Sequence, residues 1–326
     1  MSKILSDMLI RLSDGKKPAY DPNRELTWNR KFNSSSWFVI GHFHAEGHSL
    51  NYLFHQMVWP SHEGQVMNSV LSVTDETTGY HYGEDHFYPM EQVTIADDHF
   101  LIKEPTGSME GNLKHMEVKA ANDGIVLDLK LDFEDDIILN GGSGQFDLAI
   151  IKVHQYSKPR VRPSGQLTIN GKVYEISGDA WFDRQWQQTS GPVSDGDLHW
   201  CWMDLNIDGS DRLSLWSISW PSKHIAKSWA TMQNADGKQQ VVKVEPFMEK
   251  SKEFWKSPAS GQNYPVRCIV EIPELEASLE VRPHPVEQEI ASEHISKYEA
   301  ASEISGTYKG KKCSGFCYVE YVGKFD

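Results

Sequence analysis

Polar and apolar residues alternate along short stretches of this chain. In the segment GIVLDLKLDF, Leu127, Leu129 and Leu131 recur at every second position, with Asp128 and Lys130 between them. A period of two is typical of a β-strand with one buried face and one solvated face. Other extended stretches are SWFVIGHFHAEG, LNYLFHQMVWP, GQFDLAIIKVHQY, DLHWCWMDLNIDG, LSLWSISWP and CIVEIPELEASLEVRP. The pattern therefore predicts many short strands along both halves of the chain.

Turn residues separate these stretches. Asn170-Gly171, between LTI and KVYEI, is the strongest local hairpin signal, because a two-residue type I′ turn needs positive φ at both central positions. Helical patterns between the strands are nearly absent, which disfavours a βαβ architecture. Short strands joined by hairpins predict an all-β protein, either a sandwich or a barrel.

The first residues follow a different period. Ile4, Leu5, Met8, Leu9 and Leu12 fall at helical spacing, which predicts a short amphipathic helix packed on the body of the protein. Polar residues interrupt this apolar run and no small-residue cleavage site follows, so the segment does not resemble a signal peptide. The chain contains no run of about 18 apolar residues, so the sequence predicts no membrane-spanning helix. We expect a cytoplasmic protein.

Composition supports this interpretation and limits the partners. The chain has 326 residues, enough for two domains, and its 11 Trp, 12 Tyr and 13 Phe favour strands. A formal net charge of -14 argues against a nucleic-acid or anionic-membrane partner. The cysteine spacing fits neither a zinc site nor a local disulfide, so free thiols are expected. The cysteines are Cys201, Cys268, Cys313 and Cys317.

Four groups of segments resemble the carotenoid 1,2-hydratase-like, or AttH-like, family of lipocalin-like proteins. They are SSSWFVIGHF with LNYLFHQMVW, then ILNGGSGQF, then HQYSKPRVRPSGQLTINGKVYEISGDAWFDRQW, and finally NYPVRCIVEIP with KYEAASEISGTYKGKKCSGFCYVEYVG. The resemblance implies two tandem lipocalin-like antiparallel β-barrels, which we assign to residues 1–186 and 187–326. It also implies an apolar cavity for a small-molecule substrate, and activities that include hydration and the guidance of cyclisations.

Two residue pairs match the active site of the carotenoid hydratases that the chain resembles. His154/Tyr156 corresponds to a His-x-aromatic pair and Trp181/Asp183 to an aromatic-x-Asp pair, although Tyr and Trp are exchanged between them. The members of each pair share one face of a strand, since they are two residues apart. The resemblance implies that Asp183 donates a proton to the alkene and that His154 deprotonates water. Tyr156 and Trp181 would stabilise the carbocation.

Further residues are candidates for substrate binding. Trp200 and Trp202 share a strand face, Trp186 closes the segment DAWFDRQW, and His42 lies beside His44 on a predicted strand. We expect no cofactor and no metal site, because the histidine pairs lack a defined third ligand. The segment GYHYGEDHFYP, which is also rich in histidine and acids, is interpreted as an exposed loop.

Several interpretations stay open at the level of sequence. Asp183 could instead form an ion pair with Arg184, Arg160 or Arg162, and an ion-paired carboxylate is a poor proton donor. The leading functional hypothesis is a cofactor-independent hydratase, a lyase that acts on an isoprenoid-like or polyene substrate. One alternative is a cyclase or isomerase that works mainly by shape and proximity. The other is a barrel that binds lipophilic ligands without converting them.

Overall fold

The computed structural model describes residues 19–62, 64–134, 136–189, 196–207, 211–292 and 296–325. Within these ranges the chain forms antiparallel strands joined by turns and short 3-10 helices, so the predicted all-β class is confirmed. The predicted N-terminal helix over residues 4–12 lies outside the described residues. The 3-10 helices are Arg24–Leu26, Met90–Gln92, Asn140–Gly142, Pro221–Lys223, Met248–Lys250 and Pro273–Leu275.

Packing divides the chain into two compact units. Their described parts are residues 19–137 with 153–189, here called the N-terminal unit, and residues 138–152 with 196–325, here called the C-terminal unit. The segment 138–152 thus packs with strands that follow it by more than forty positions. The sequence predicts domains at residues 1–186 and 187–326, and this division stays a prediction. The packing units differ from it in the segment 138–152, which belongs to the C-terminal unit.

The first half of the chain supplies most of one large antiparallel sheet. Its path runs β4-β3-β2-β1-β14-β12-β9-β8-β7-β6-β5, and β13 pairs with β12 beside this path. The strands up to this point are β1 Ser34–Ala45, β2 His48–Ser61, β3 Gly64–Asp75, β4 Tyr80–Pro89, β5 Thr94–Ile95, β6 Phe100–Glu104, β7 Gly107–Gly111, β8 His115–Asn122, β9 Ile125–Phe133, β10 Ile138–Leu139, β11 Gln145–Leu148, β12 Ile151–Ile169, β13 Lys172–Ile176 and β14 Gly178–Gln187.

The second half forms another antiparallel sheet with the path β18-β17-β16-β15-β25-β24-β22-β21, with β23 beside β24. Strands β19 and β20 form a separate pair. The strands are β15 His199–Ile207, β16 Arg212–Trp220, β17 Ile225–Gln233, β18 Gln239–Lys243, β19 Phe254–Lys256, β20 Asn263–Pro265, β21 Cys268–Ile272, β22 Ala277–Pro283, β23 Glu289–Ile290, β24 Lys297–Tyr308 and β25 Lys311–Val322.

Local sequence signals decide several of these elements. Burial alternates residue by residue along β9, as its period-two pattern predicts. The hairpin between β12 and β13 is also confirmed, because Ile169 pairs with Lys172 around Asn170 and Gly171, whose φ angles are 49° and 83°.

All four cysteines are free thiols, as expected. None of the helices in the described part of the chain is long and apolar enough to cross a membrane.

One predicted element is wrong. The segment 79–89 was expected to be an exposed loop, but Tyr80–Pro89 is strand β4, which pairs with β3 along its whole length. It lies at the end of the sheet path, and its side chains are mostly half-buried. An edge strand tolerates polar and charged side chains that a central strand would exclude, which explains its loop-like composition.

The central strands of the N-terminal sheet are buried on both faces. On one face, Trp37 contacts Phe100 of β6 at 6.2 Å and Phe182 contacts Phe133 of β9 at 5.7 Å between ring centroids, so this face packs in the apolar core of the unit. The opposite face carries polar side chains among apolar ones, and it holds the predicted proton donor, Asp183.

Candidate functional site: a buried carboxylate and imidazole on one sheet face

Strand pairing places Asp183 at the centre of the N-terminal sheet. It lies directly opposite Phe38 of β1 on one side and Ser157 of β12 on the other. Phe38 is in turn opposite His55 of β2. Directly opposed residues of antiparallel strands project from the same face. The row His55–Phe38–Asp183–Ser157 therefore shares one face, and its first three side chains are each 5% exposed while Ser157 is fully buried.

Two N–H groups hold the carboxyl group of Asp183. The indole Nε1 of Trp181 donates to Oδ1 at 2.7 Å, and Nε2 of Gln155 donates to Oδ2 at 2.7 Å. Both donors contribute a hydrogen and both carboxyl oxygens accept. This arrangement fixes the orientation of the carboxyl plane. Trp181 thus touches the carboxyl group through its ring edge.

The three arginines considered as ion-pair partners have other contacts. Arg160 forms an ion pair with Asp136, and Arg162 donates to Glu134 at 2.7 Å. Arg184 follows Asp183 in sequence, but its side chain projects from the opposite face of β14 and donates to backbone carbonyl groups. Neighbouring residues on a strand point to opposite sides, which explains this separation.

On the opposite face of β14, Arg184 packs against two tryptophan rings and binds backbone carbonyl groups. It is fully buried, and its guanidinium lies 4.3 Å from the Trp37 ring centroid and 4.9 Å from that of Trp186. It donates to the carbonyl oxygens of Glu25 at 2.8 Å and Thr27 at 3.0 Å. Burial lowers the pKa of the guanidinium to about 10. These contacts hold the segment that precedes β1 against the sheet.

The register does not bring the two predicted catalytic pairs together. His154 is opposite Trp186 and Tyr156 is opposite Arg184, so both project from the face that packs in the core. The Tyr156 hydroxyl donates to the carbonyl oxygen of Pro22 at 3.0 Å, and the His154 ring stacks on Trp186 at 5.3 Å. The expectation of one shared site for both pairs is therefore not met. Trp186, a predicted substrate-binding residue, is buried and packs against both of their rings.

A histidine on the carboxylate face was not among the residues predicted to be catalytic. His55 lies on β2, and its Nε2 is 2.9 Å from Oγ of Ser36. Its ring meets that of Phe38 edge to face, with centroids 5.1 Å apart. The only sequence signal for it is a histidine inside the apolar stretch LNYLFHQMVW. Which residue it faces depends on pairing with β1, and composition does not reveal that.

The remaining predicted substrate-binding residues are dispersed. His42 lies on the face of β1 that carries Phe38, about 13 Å further along the strand, and its Nδ1 is 2.9 Å from Oδ1 of Asn51. Trp200 and Trp202 belong to the C-terminal unit, on the face of β15 opposite to its core residues. Among the described residues, no three His, Cys, Asp or Glu side chains are grouped so that they could hold a metal ion.

The chain is similar to known proteins over most of its length. The AttH family model, described as AttH-like, matches residues 27–324. The dehydratase asqC of Emericella nidulans is 27% identical over 227 residues. That match spans 66% of this chain and 63% of the fungal protein, so it covers less than two thirds of that relative.

Solved structures share the fold. An AttH protein from Nitrosomonas europaea superposes with a TM-score of 0.81 at 19% identity, covering 95% of this chain and 98% of that one. Kievitone hydratase from Nectria haematococca superposes with a TM-score of 0.79 at 20% identity, covering 94% of this chain and 95% of that one. At these identities the likeness concerns the fold alone.

Proposed function

Because the chain belongs to the AttH-like family, we propose that it is a cofactor-independent hydro-lyase. It would add water to, or remove it from, a carbon–carbon double bond of an apolar, isoprenoid-like or polyene substrate. The similarity to a protein named as a dehydratase and the fold shared with a protein named as a hydratase support this reaction type. A reaction of this kind needs two proton-transfer groups and no redox partner.

One observation carries the proposal: a carboxyl group and an imidazole lie on either side of Phe38. Asp183 and His55 are on strands that flank β1, so two inter-strand spacings, about 10 Å, separate their backbones. Elimination of water takes a proton from one carbon and a hydroxyl group from its neighbour. Groups on opposite sides of a substrate lying over Phe38 suit these two transfers.

The proposed reaction assigns one role to each group. In dehydration, the Asp183 carboxylate takes a proton from carbon, and the electron pair of that C–H bond forms the double bond. The C–O bond of the neighbouring carbon then breaks, and the departing oxygen leaves as water after it receives a proton from His55. Hydration is the reverse, in which protonated Asp183 delivers the proton to carbon. Trp181 and Gln155 are positioning residues, since they orient the Asp183 carboxyl group.

Apolar side chains on the same face support an apolar substrate. Ile40 is opposite Trp181, and Val70 is opposite His55 in the register of β1, β2, β3 and β14. Both are almost fully buried. Met57, which is 8% exposed, lies two residues beyond His55 on β2 and therefore on the same face. A polar substrate would leave unpaired polar groups against these side chains, which is unfavourable.

The test compares product masses for wild type, Asp183→Asn and His55→Asn. The purified proteins are incubated with polyenes, prenylated phenolics and terpenoid alcohols. We expect wild type to add or remove one water, and each variant to be slower by a factor of about 10² to 10⁴, the usual contribution of a general acid or base. Asp179→Asn is the matched control, because Asp179 is an exposed aspartate on the same strand.

Each other outcome has a defined meaning. Wild-type turnover by Asp183→Asn would overturn the role of the carboxyl group. A product of unchanged mass with a new retention time would favour the cyclase or isomerase hypothesis. Ligand that is retained at stoichiometric amounts without conversion would favour a binding protein for the compounds tested.

A further inference from the structure

A serine hydroxyl group lies against His55, on the strand that carries Phe38. Oγ of Ser36 is 2.9 Å from Nε2 of His55. Ser36 is two residues from Phe38 on β1, so both side chains project from the face that holds Asp183. Ser36 and His55 are 9% and 5% exposed. The roles proposed above for Asp183 and His55 do not use this hydroxyl group.

The two sides of Phe38 along β1 differ in polarity. On one side, Ser36 is opposite Gln185 of β14. On the other side, Ile40 is opposite Leu53 of β2, and both are almost fully buried. An oxygen atom of a substrate that lies over Phe38 gives up its hydrogen bonds with water, which is unfavourable unless polar groups replace them. The oxygen that leaves or enters in the reaction therefore belongs on the Ser36 side.

The position of Ser36 also suits proton transfers at neighbouring carbon atoms. Ser36 and Asp183 are diagonal neighbours on paired strands, because Ser36 is opposite Gln185. Diagonal neighbours are about 7–8 Å apart, whereas two inter-strand spacings, about 10 Å, separate the backbones of Asp183 and His55. Elimination of water acts on adjacent carbons, so its two proton-transfer groups have to reach atoms that are close together. Ser36 is nearer to Asp183 than the strand of His55 is.

We propose that Ser36 is a further catalytic residue, which passes the proton between His55 and the oxygen of the substrate. This relay rests on the proposed hydro-lyase function. In dehydration, the C–O bond breaks with its electron pair on oxygen, and this oxygen takes the hydrogen of the Ser36 hydroxyl group and leaves as water. Oγ of Ser36 takes the proton from Nε2 of protonated His55, which becomes neutral. Asp183 takes the proton from carbon, as described above, and hydration reverses each transfer.

A hydroxyl group is suited to this relay because it can donate one hydrogen bond and accept others. It accepts from Nε2 while His55 is protonated, and it donates to Nε2 once the proton has left. The contact with His55 is therefore kept in both protonation states of the imidazole. An aliphatic side chain at position 36 would keep neither.

Substitutions of Ser36 test the relay. Thr and Val have nearly the same shape, so the pair Ser36→Thr and Ser36→Val isolates the hydroxyl group. We expect Ser36→Thr to keep most of the wild-type kcat. Ser36→Val and Ser36→Ala should lower kcat by a factor of about 10² to 10⁴ with little change in KM, because the hydroxyl acts in the transition state. Ser34→Ala is the matched control, since Ser34 is buried on the same face of β1 and accepts from Gln187 at 3.1 Å, and its turnover should equal that of wild type.

Two further measurements show whether Ser36 acts with His55 and whether it carries a proton. The double variant Ser36→Ala/His55→Asn should be no slower than His55→Asn, since residues that act as one unit are not additive. Single-turnover rates report the chemical step, and in mixtures of H2O and D2O those of wild type should follow a curve, because two protons move together. A hydrogen bond that only holds His55 in place moves one proton and gives a straight line, which would overturn the relay.

Failure of the relay differs from failure of the proposed function. Absent turnover in wild type would overturn the hydro-lyase function and the relay with it. Turnover in wild type that Ser36→Val and Ser36→Ala retain would overturn the relay alone. Losses that multiply in the double variant would show that Ser36 and His55 act separately, and would also overturn it. Circular dichroism and thermal melts check that each variant is folded.

Discussion

The buried Glu299, which lies opposite Glu320 in the C-terminal sheet, predicts an unusual pH dependence of stability. The perturbation is Glu299→Gln, which keeps the size of the side chain, replaces one carboxyl oxygen by an NH2 donor, and removes its titration. Burial and the charge of Glu320 raise the pKa of Glu299 well above its ordinary value of 4.5. In the folded protein the group therefore keeps its proton at a pH where the unfolded chain has lost it.

The sign and the size of the effect follow from this difference. A raised pKa in the folded state contributes stability that is complete below pH 4.5 and is lost as the pH rises through the folded-state pKa. A difference of one bound proton changes the free energy of unfolding by about 1.4 kcal/mol per pH unit. Wild type should thus lose about this amount for each pH unit relative to Glu299→Gln, from about pH 5.5 up to the folded-state pKa.

The assay is urea-induced unfolding followed by far-ultraviolet circular dichroism at pH values one unit apart. Glu303→Gln is the matched control, because Glu303 lies on the same strand and is exposed. We expect the free energy of unfolding of wild type minus that of Glu299→Gln to fall as the pH rises, and the same difference for Glu303→Gln to stay constant. Parallel pH profiles for wild type and Glu299→Gln would refute the conclusion that Glu299 is protonated.

Three further substitutions test the N-terminal unit. Tyr156→Phe removes the hydroxyl group that donates to Pro22, so it should cost about 0.5–1.5 kcal/mol in urea unfolding and leave turnover unchanged. Lost turnover would show that Tyr156 reaches the substrate. Gly41→Ala should destabilise the unit by about 1–3 kcal/mol, because the new Cβ would stand 2.1 Å from Cζ of Tyr52, and an unchanged melting temperature would contradict this packing. Arg184→Met should cost about 3–5 kcal/mol in the same unfolding assay, since backbone carbonyls lose a buried charged donor, whereas a stabilised variant would contradict that account.

Local features of the sequence were sufficient to predict the all-β class. The alternation along residues 125–133 is a property of one strand, because each side chain is buried or exposed according to its own position in the pleat. The turn at Asn170 and Gly171 is equally local, since positive φ at two adjacent residues suits the mirror-image turn. The strand Tyr80–Pro89 was misassigned because its edge position, which only the assembled sheet reveals, permits a polar composition.

The sequence by itself also identified Asp183 and Trp181 as neighbours on one strand face, and their hydrogen bond is consistent with that. It did not determine which residues of other strands face them. His154 and Tyr156 satisfy the same spacing rule, yet pairing between β12 and β14 puts Gln155 on the Asp183 face instead. A shift of one residue in register exchanges the faces, and spacing within a strand carries no information on register.

Strand pairing decided which side chains surround Asp183 and Glu299. His55 meets Phe38 because β1 and β2 pair as a hairpin, and Asp183 joins them from β14, a strand that is distant in sequence. Glu299 meets Glu320 because the consecutive strands β24 and β25 pair in one register. Side-chain chemistry is set by the sequence, but a protonation state depends on burial and on neighbouring charge, and both of these arise only when the strands pair.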